Sequence, residues 1–179
     1  MDKLRQKALE AGFTHAGNLD PKTIELREDV RAMCAENLCG QYGKNWGCPP
    51  ACGSLEELKQ MLDTCSHGLL VQTVAQLKDE FDVQTMLEAE RGHKQRFLDF
   101  FQELKKDEPQ AIALGAGSCT RCKACTYPHA PCRFPEEKQI SMEACGMLVN
   151  QVLKDNGMAY YYGKHTISYT SCYLFRRAR

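Results

Sequence analysis

Ala111-Ile-Ala-Leu114 is followed directly by Gly-Ala-Gly-Ser-Cys119-Thr-Arg-Cys122-Lys-Ala-Cys125, so a short interior strand runs straight into a cysteine-rich loop. Three cysteines separated by two residues each let one loop turn its thiolates toward a common centre, and Cys132, after a gap of six residues, supplies a fourth. This spacing is typical of a cubane iron–sulfur site. Structural zinc, the alternative, usually takes its sulfurs as one pair plus a second, remote pair.

A second group of four cysteines lies earlier in the chain, and the two groups hold eight of the eleven cysteines. We call Cys34, Cys39, Cys48 and Cys52 the first set, and Cys119, Cys122, Cys125 and Cys132 the second set. The spacing of the first set is less diagnostic, so zinc competes more strongly there with a cluster. Cys52 is its least secure ligand, and without it an iron would be open to a small molecule.

Length and charge favour one domain, 1–179, with a protein or small-molecule partner. The chain has 23 basic and 23 acidic residues, so no overall field would attract nucleic acid or an acidic membrane. We expect no signal peptide and no membrane-spanning helix, and therefore a soluble cytoplasmic protein. In a reducing cytosol, dense cysteines are more often metal ligands or redox groups than disulfides.

Hydrophobic periodicity predicts an α/β fold, with a central mixed sheet flanked by helices and two metal-binding loops, at about 34–53 and 115–137. We expect Ser54 and Glu57 to form a capping box at the start of a helix. Ser141 is the expected cap of another helix, which Gly157 would end. The predicted helices are 2–11, 24–34, 54–65, 83–106 and 141–156. The predicted strands are 13–19, 68–74, 111–114, 159–162 and 166–174.

Five residues in these loops are candidates for contact with a bound cofactor. Arg121, Lys123 and Arg133 carry positive charge that would offset the negative charge of four thiolates on a cubane. Their alternative is ordinary solvated loop charge. Tyr42 and Trp46 lie in the glycine-rich gap of the first set, where Trp46 would shield a cluster or stack on a planar ligand. Burial in the core is the alternative for this single tryptophan.

The remaining cysteines are expected to pack in the interior. Cys65 and Cys172 have apolar surroundings and are predicted to act as buried small hydrophobes. Cys145 falls in the first turns of the predicted helix 141–156, where a lowered pKa is the alternative to packing. Gly115-Ala-Gly117 does not continue into a dinucleotide-binding loop, because Thr120 stands where a third glycine is needed.

The motifs together resemble one known family, over about residues 12–174. They are Cys39-Gly-Gln-Tyr-Gly-Lys-Asn-Trp-Gly-Cys48-Pro-Pro, the stretch from Leu114 to Cys125, Pro131-Cys132-Arg-Phe-Pro135 and Ser141-Met-Glu-Ala144. The chain is similar to the predicted metal-binding proteins of anaerobic bacteria and archaea, a domain family of unknown function. The resemblance implies metal held by all the cysteines of both sets except Cys52, which, like Cys145, falls at a variable position.

These observations predict an iron–sulfur protein with two 4Fe–4S clusters that passes single electrons in anaerobic metabolism. Because no nucleotide motif is present, the electrons would come from a partner such as a ferredoxin or a flavoprotein. One alternative is a redox enzyme whose incompletely ligated cluster binds and reduces a small molecule. Another is a zinc-stapled interaction module without redox activity.

Overall fold

The structure, a computed structural model, describes residues 1–177; Ala178 and Arg179, the end of the predicted domain, lie outside the described residues. The helices are α1 (Asp2–Glu10), α2 (Glu28–Ala35), α3 (Leu55–Asp63), α4 (Val83–Asp107) and α5 (Val149–Asp155). The strands are β1 (His15–Leu19), β2 (Cys65–Gln76), β3 (Ile112–Gly115), β4 (Ile140–Ser141) and β5 (Thr166–Arg176).

The five strands form one sheet in the order β1-β2-β5-β3-β4. The long central pair, β2 and β5, is antiparallel, and so are β1 with β2 and β3 with β5. The edge strand β4 pairs parallel with β3, so the sheet is mixed. The predicted α/β fold with a central mixed sheet is confirmed.

Alternation along the central strands gives the sheet two buried faces. Leu70 on β2 and Cys172 on β5 pack with α3 and α5, whereas Val71 and Tyr173 pack with α1 and α4. Neighbouring strand residues point to opposite faces, so a continuous apolar run is what a sheet covered on both sides requires. Cys65 and Cys172 are buried in this core, as the sequence predicts.

The capping box at the start of α3 is present as predicted. The Ser54 hydroxyl accepts a hydrogen bond from the Glu57 N–H at 3.1 Å, and the Glu57 carboxylate accepts one from the Ser54 N–H at 2.7 Å. Two donors of the first turn are thereby satisfied, and α3 begins immediately after the cysteine loop.

The predicted helix 141–156 is wrong in its first half. Strand β4 and a 3₁₀ turn, Glu143–Cys145, precede α5, and Ser141 Oγ accepts from the Ala144 N–H instead of capping an α-helix. Gly146 interrupts the helix, because it is left-handed (φ 80°) and its carbonyl accepts from the Arg27 N–H at 2.8 Å. This pairing with the segment before α2 overrides the local helical pattern and delays the start of α2 to Glu28.

The predicted strand 159–162 is also wrong. Side chains of β2 and β5 hold this irregular segment in place. The Gln72 amide donates to the Ala159 carbonyl, the Tyr162 hydroxyl donates to the Gln72 amide oxygen, and the Ser168 hydroxyl donates to the Tyr160 carbonyl. Because side chains already donate to the Ala159 and Tyr160 carbonyls, these backbone groups are satisfied without pairing to a neighbouring strand.

Each of the two cysteine loops connects two regular elements. The first loop, 36–54, joins α2 to α3, and the second loop, 116–139, joins β3 to β4 and contains the 3₁₀ turn Pro135–Glu137. Cys34 lies on α2, just outside the first loop. No helix within residues 1–177 has the length and apolar character needed to cross a membrane.

Candidate metal centres

All four cysteines of the second set line one cavity of about 440 Å³. The loop that carries them leaves β3 at Gly115, so the sheet fixes its starting point. Cys125 is exposed, and Cys119, Cys122 and Cys132 are half-buried. Four thiols around one space are the ligand number that a cubane cluster or a structural zinc requires.

Helix α4 holds the beginning of this loop through a buried lysine. Lys94 Nζ donates to the Ser118 carbonyl oxygen at 3.0 Å, one residue before the first cysteine of the second set. The same nitrogen pairs with the Glu90 carboxylate at 2.6 Å. Only 8 % of the Lys94 side chain is exposed, against 34 % of Glu90, so the lysine is shielded from water while its partner reaches the surface. Sequence reasoning missed this residue; the signal was a lysine three residues before Phe97, on the apolar face of α4.

Positive side chains surround the second set. Arg121 and Lys123 line the cavity, as do Lys44 and Lys138. Arg121 forms an ion pair with Glu137 and lies 4.0 Å over the Phe134 ring. The Glu137 hydrogen bond, and then the nearby cysteine thiols, raise the pKa of Arg121. Its positive charge therefore stands close enough to offset thiolate charge.

Arg133 and Tyr42, unlike Arg121 and Lys123, do not line the cavity of the second set. The Arg133 guanidinium donates to the Ala124 carbonyl at 2.9 Å and braces the loop from within. The Tyr42 N–H donates to the Asn37 side chain at 3.0 Å, and Tyr42 is half-buried in the first loop. Arg133 therefore lies within the second loop, beside its cysteines but outside the cavity lining, whereas Tyr42 is held in the first loop.

The first loop forms part of the wall of the second set's cavity. Trp46 lines it, its indole N–H donates to the Ala130 carbonyl at 3.0 Å, and its ring meets Tyr127 edge-on at 4.9 Å. Trp46 is half-buried and so is not part of the core. A Cβ added at Gly47 would lie 2.0 Å from the Gln139 carbonyl oxygen and 3.2 Å from Cys119 Cβ. Only glycine permits the two loops to approach this closely.

The cysteines of the first set lie near one another around a cation. Burial, joined by the nearby thiols of Cys39, Cys52 and Cys34, raises the pKa of Cys48 to about 11. Arg31 on α2 donates to the Gly53 and Ala144 carbonyls, each at 2.6 Å. Burial also raises the pKa of Cys34 and of Cys52, whereas the Arg31 charge lowers both. Sequence reasoning missed Arg31, although it precedes Cys34 by one helical turn.

A family model described as "Predicted metal-binding protein (DUF2284)" matches residues 17–175. The chain belongs to this family. The match contains both cysteine sets and agrees with the resemblance drawn from the motifs. No curated protein and no solved structure matches the chain.

The thiols of this DUF2284 protein lie in two groups, but within the described residues they are not close enough to one another to coordinate a metal ion. Within residues 1–177, no group of three or more His, Cys, Asp or Glu side chains is arranged closely enough to hold a metal ion. The four cysteines of the second set nevertheless line one cavity, and those of the first set are near enough for three of them to raise the pKa of Cys48. The residues fit a thiolate-bound metal in kind, number and charge, and ligation would require the cysteines to come closer together than they are. Metal binding and loop order are then coupled.

Cys145 does not have the lowered pKa offered as an alternative for a cysteine in the first turns of a helix. It is fully buried in the 3₁₀ turn, and burial, followed by the nearby thiols of Cys52 and Cys172, raises its pKa well above the ordinary value. A thiol that stays protonated packs as a small hydrophobe, as the packing alternative predicts.

One further side chain near the second set is polar, buried and without a hydrogen-bond partner. Both polar atoms of the Gln139 amide lack a partner within the described part of the chain, and Gln139 is 2 % exposed. Its backbone carbonyl faces Gly47, beside Cys119. Amide donors near metal-bound thiolates stabilise their negative charge, so this orphaned amide is compatible with the same metal centre.

Proposed function

We propose that this DUF2284 protein binds two 4Fe–4S clusters, one in each cysteine set, and passes single electrons. The observation that carries the proposal is the cavity of about 440 Å³ lined by all four cysteines of the second set. Its Cys-x2-Cys-x2-Cys spacing favours a cubane over the two remote pairs typical of structural zinc.

The charges around the thiols support a redox centre. When bound, such clusters supply one-electron oxidation and reduction at a potential that depends on net charge, hydrogen bonds and exposure. Arg121 and Lys123 would offset thiolate charge at the second set, and Arg31 would do so at the first. Lys94 and Arg133 hold the second loop through backbone carbonyls, so its cysteines start from a defined position.

The joined loops favour a relay between two centres. Trp46, from the first loop, contacts Ala130 and Tyr127 of the second, so both centres would sit on one connected surface. We propose that electrons reach the protein from a separate carrier, such as a ferredoxin or flavoprotein, in the cytoplasm of an anaerobe. Direct contact between the two loops suits single-electron relay better than two independent structural metal sites.

Visible spectroscopy of anaerobically purified protein tests this function. A brown protein whose absorption bleaches with dithionite is expected. A colourless protein with stoichiometric zinc would instead make it a zinc-stapled module. A small-molecule reductase is the second candidate, because Cys52, which the family resemblance does not require as a ligand, is the residue whose loss would leave an iron open.

A further inference from the structure

We propose that the mouth of the second set's cavity is a docking surface for an acidic electron-carrier protein. Carboxylates of the carrier would pair with Lys44, Lys123 and Lys138. The inference rests on the proposed electron-transfer function and adds the place and the charge of the partner.

The first observation is a local excess of positive charge in a neutral chain. Four cationic side chains and no carboxylate line the cavity in the described part of the chain; the cations are Lys44, Arg121, Lys123 and Lys138. The whole sequence has 23 basic and 23 acidic residues, so this one-signed lining is not a general property of the surface. The groove between α1 and α4, for comparison, is lined by both signs.

The second observation concerns which of these cations have partners. Arg121 is paired with Glu137 and stacked over Phe134, so it is held by contacts within the chain and is not among the cations that a partner would meet. Lys44, Lys123 and Lys138 form no ion pair within residues 1–177. Lys44 and Lys123 are exposed, and Lys138 is half-buried. Unpaired lysines contributed by both loops around one opening suit carboxylates that arrive from outside.

A carrier protein fits this surface better than nucleic acid does. Three free lysines are few for a phosphate backbone, whose binding proteins commonly neutralise six or more phosphates. A modest cationic patch is enough to steer an acidic protein, because complementary charges raise the rate of encounter. Half-buried Trp46 at the same opening adds an aromatic surface of the kind enriched in interfaces. One electron then passes from the carrier, which is oxidised, to this protein, which is reduced, with no bond made or broken.

The test measures binding of a purified acidic 2Fe–2S ferredoxin by calorimetry under anaerobic conditions. Wild type is compared with Lys44→Glu/Lys123→Glu and with the control Lys3→Glu/Lys164→Glu, which changes the net charge equally at exposed positions outside the cavity lining. We expect the cavity variant to bind about tenfold more weakly and the control to change by less than about twofold. Raising NaCl from about 20 to about 300 mM should weaken wild-type binding most, because the screening length falls to about 6 Å.

Equal affinities for the wild type and the cavity variant would overturn the docking surface, and so would an equal loss in the control. Absence of wild-type binding at low salt would overturn it too. Displacement of the ferredoxin by inorganic phosphate at constant ionic strength would assign the lysines to a small anion instead. Iron and sulfide analysis of the same samples separates the two claims: missing iron contradicts the proposed function, whereas full iron without charge-dependent binding contradicts only the docking surface.

Discussion

The indole N–H of Trp46 donates a hydrogen bond to the carbonyl oxygen of Ala130 at 3.0 Å and thereby ties the first cysteine loop to the second. The bond crosses 84 positions of sequence. The ring also contacts Tyr127, and the next residue, Gly47, lies against Gln139 beside Cys119. A change in one loop should therefore affect the metal site of the other.

Gly47→Ala should separate the loops. The new methyl group would lie 2.0 Å from the Gln139 carbonyl oxygen, a backbone atom that cannot move aside cheaply. We expect the free energy of unfolding to fall by about 1–3 kcal/mol, as for other overpacked sites, and metal to be lost from the second set. Urea unfolding and metal analysis measure the two effects.

The matched control for this change is Gly92→Ala in α4. There the nearest atoms to an added Cβ belong to the flexible end of Arg96, at 3.4 Å. We expect stability to rise by about 0.5–1 kcal/mol from helix propensity, with metal content unchanged. If Gly47→Ala behaves like this control, the close approach of the loops does not matter for the site.

Lys94→Met should loosen the start of the second loop. The substitution keeps the apolar stem but removes the donor to the Ser118 carbonyl and leaves Glu90 without its cation. We expect a loss of about 1–3 kcal/mol and faster proteolysis within 116–139. The control is Lys106→Met on the same helix, whose exposed pair with Glu103 is worth at most about 1 kcal/mol. Equal proteolysis of the two variants would show that Lys94 does not anchor the loop.

Cys52→Ala distinguishes an electron carrier from an enzyme. Cys52 is 6 % exposed, and its thiol is close enough to Cys48 and Cys34 to raise the pKa of each. With full ligation, the variant should lose or degrade the first cluster, and cyanide should leave the wild-type spectrum unchanged. The control, Cys172→Ala, removes a buried thiol outside both sets and should keep all the iron.

Retention of all the iron in Cys52→Ala would give the opposite answer. Cyanide should then shift the paramagnetic resonance signal of the reduced wild-type protein, because an iron with an open position accepts an exogenous ligand. That pair of results would favour the small-molecule reductase over simple electron transfer.

The sequence was sufficient for four of the five strands, β1, β2, β3 and β5, and for the start of α3, because these depend on local patterns. The short edge strand β4 was missed, and the predicted strand 159–162 was wrong. The apolar run in β2 needs burial on both faces, and the Ser54–Glu57 box is a short-range signal. The helix predicted from Ser141 failed because Gly146 pairs with Arg27, more than a hundred positions away. Arg31 and Lys94 were missed for the same reason, since each acts on backbone carbonyls distant in sequence.

Buried His93 should make stability depend on pH. Its ring nitrogens bond to Thr73 at 2.8 Å and to Ser171 at 2.7 Å, and burial, with the charges of Arg96 and Lys94, lowers its pKa to about 3. The unfolded chain binds the proton near pH 6.5. The stabilisation is therefore complete above about pH 6.5 and is lost toward pH 3, at about 1.4 kcal/mol per pH unit.

His93→Gln isolates this contribution. Protonation of thiolates affects wild type and variant alike. The difference between their unfolding free energies therefore reports the contribution of His93 alone. The variant should be less stable at pH 7, and the gap should narrow as the pH falls from 6.5 to 4. Parallel curves over this range would contradict a neutral, buried His93.

The content of iron and acid-labile sulfide in anaerobically purified protein tests the central claim most directly. Two cubanes predict about eight iron and about eight sulfide per chain, and Cys122→Ala should reduce each to about four. The control Cys65→Ala, at a buried thiol outside both sets, should keep the wild-type values. Stoichiometric zinc without sulfide, or unchanged iron in Cys122→Ala, would contradict the account.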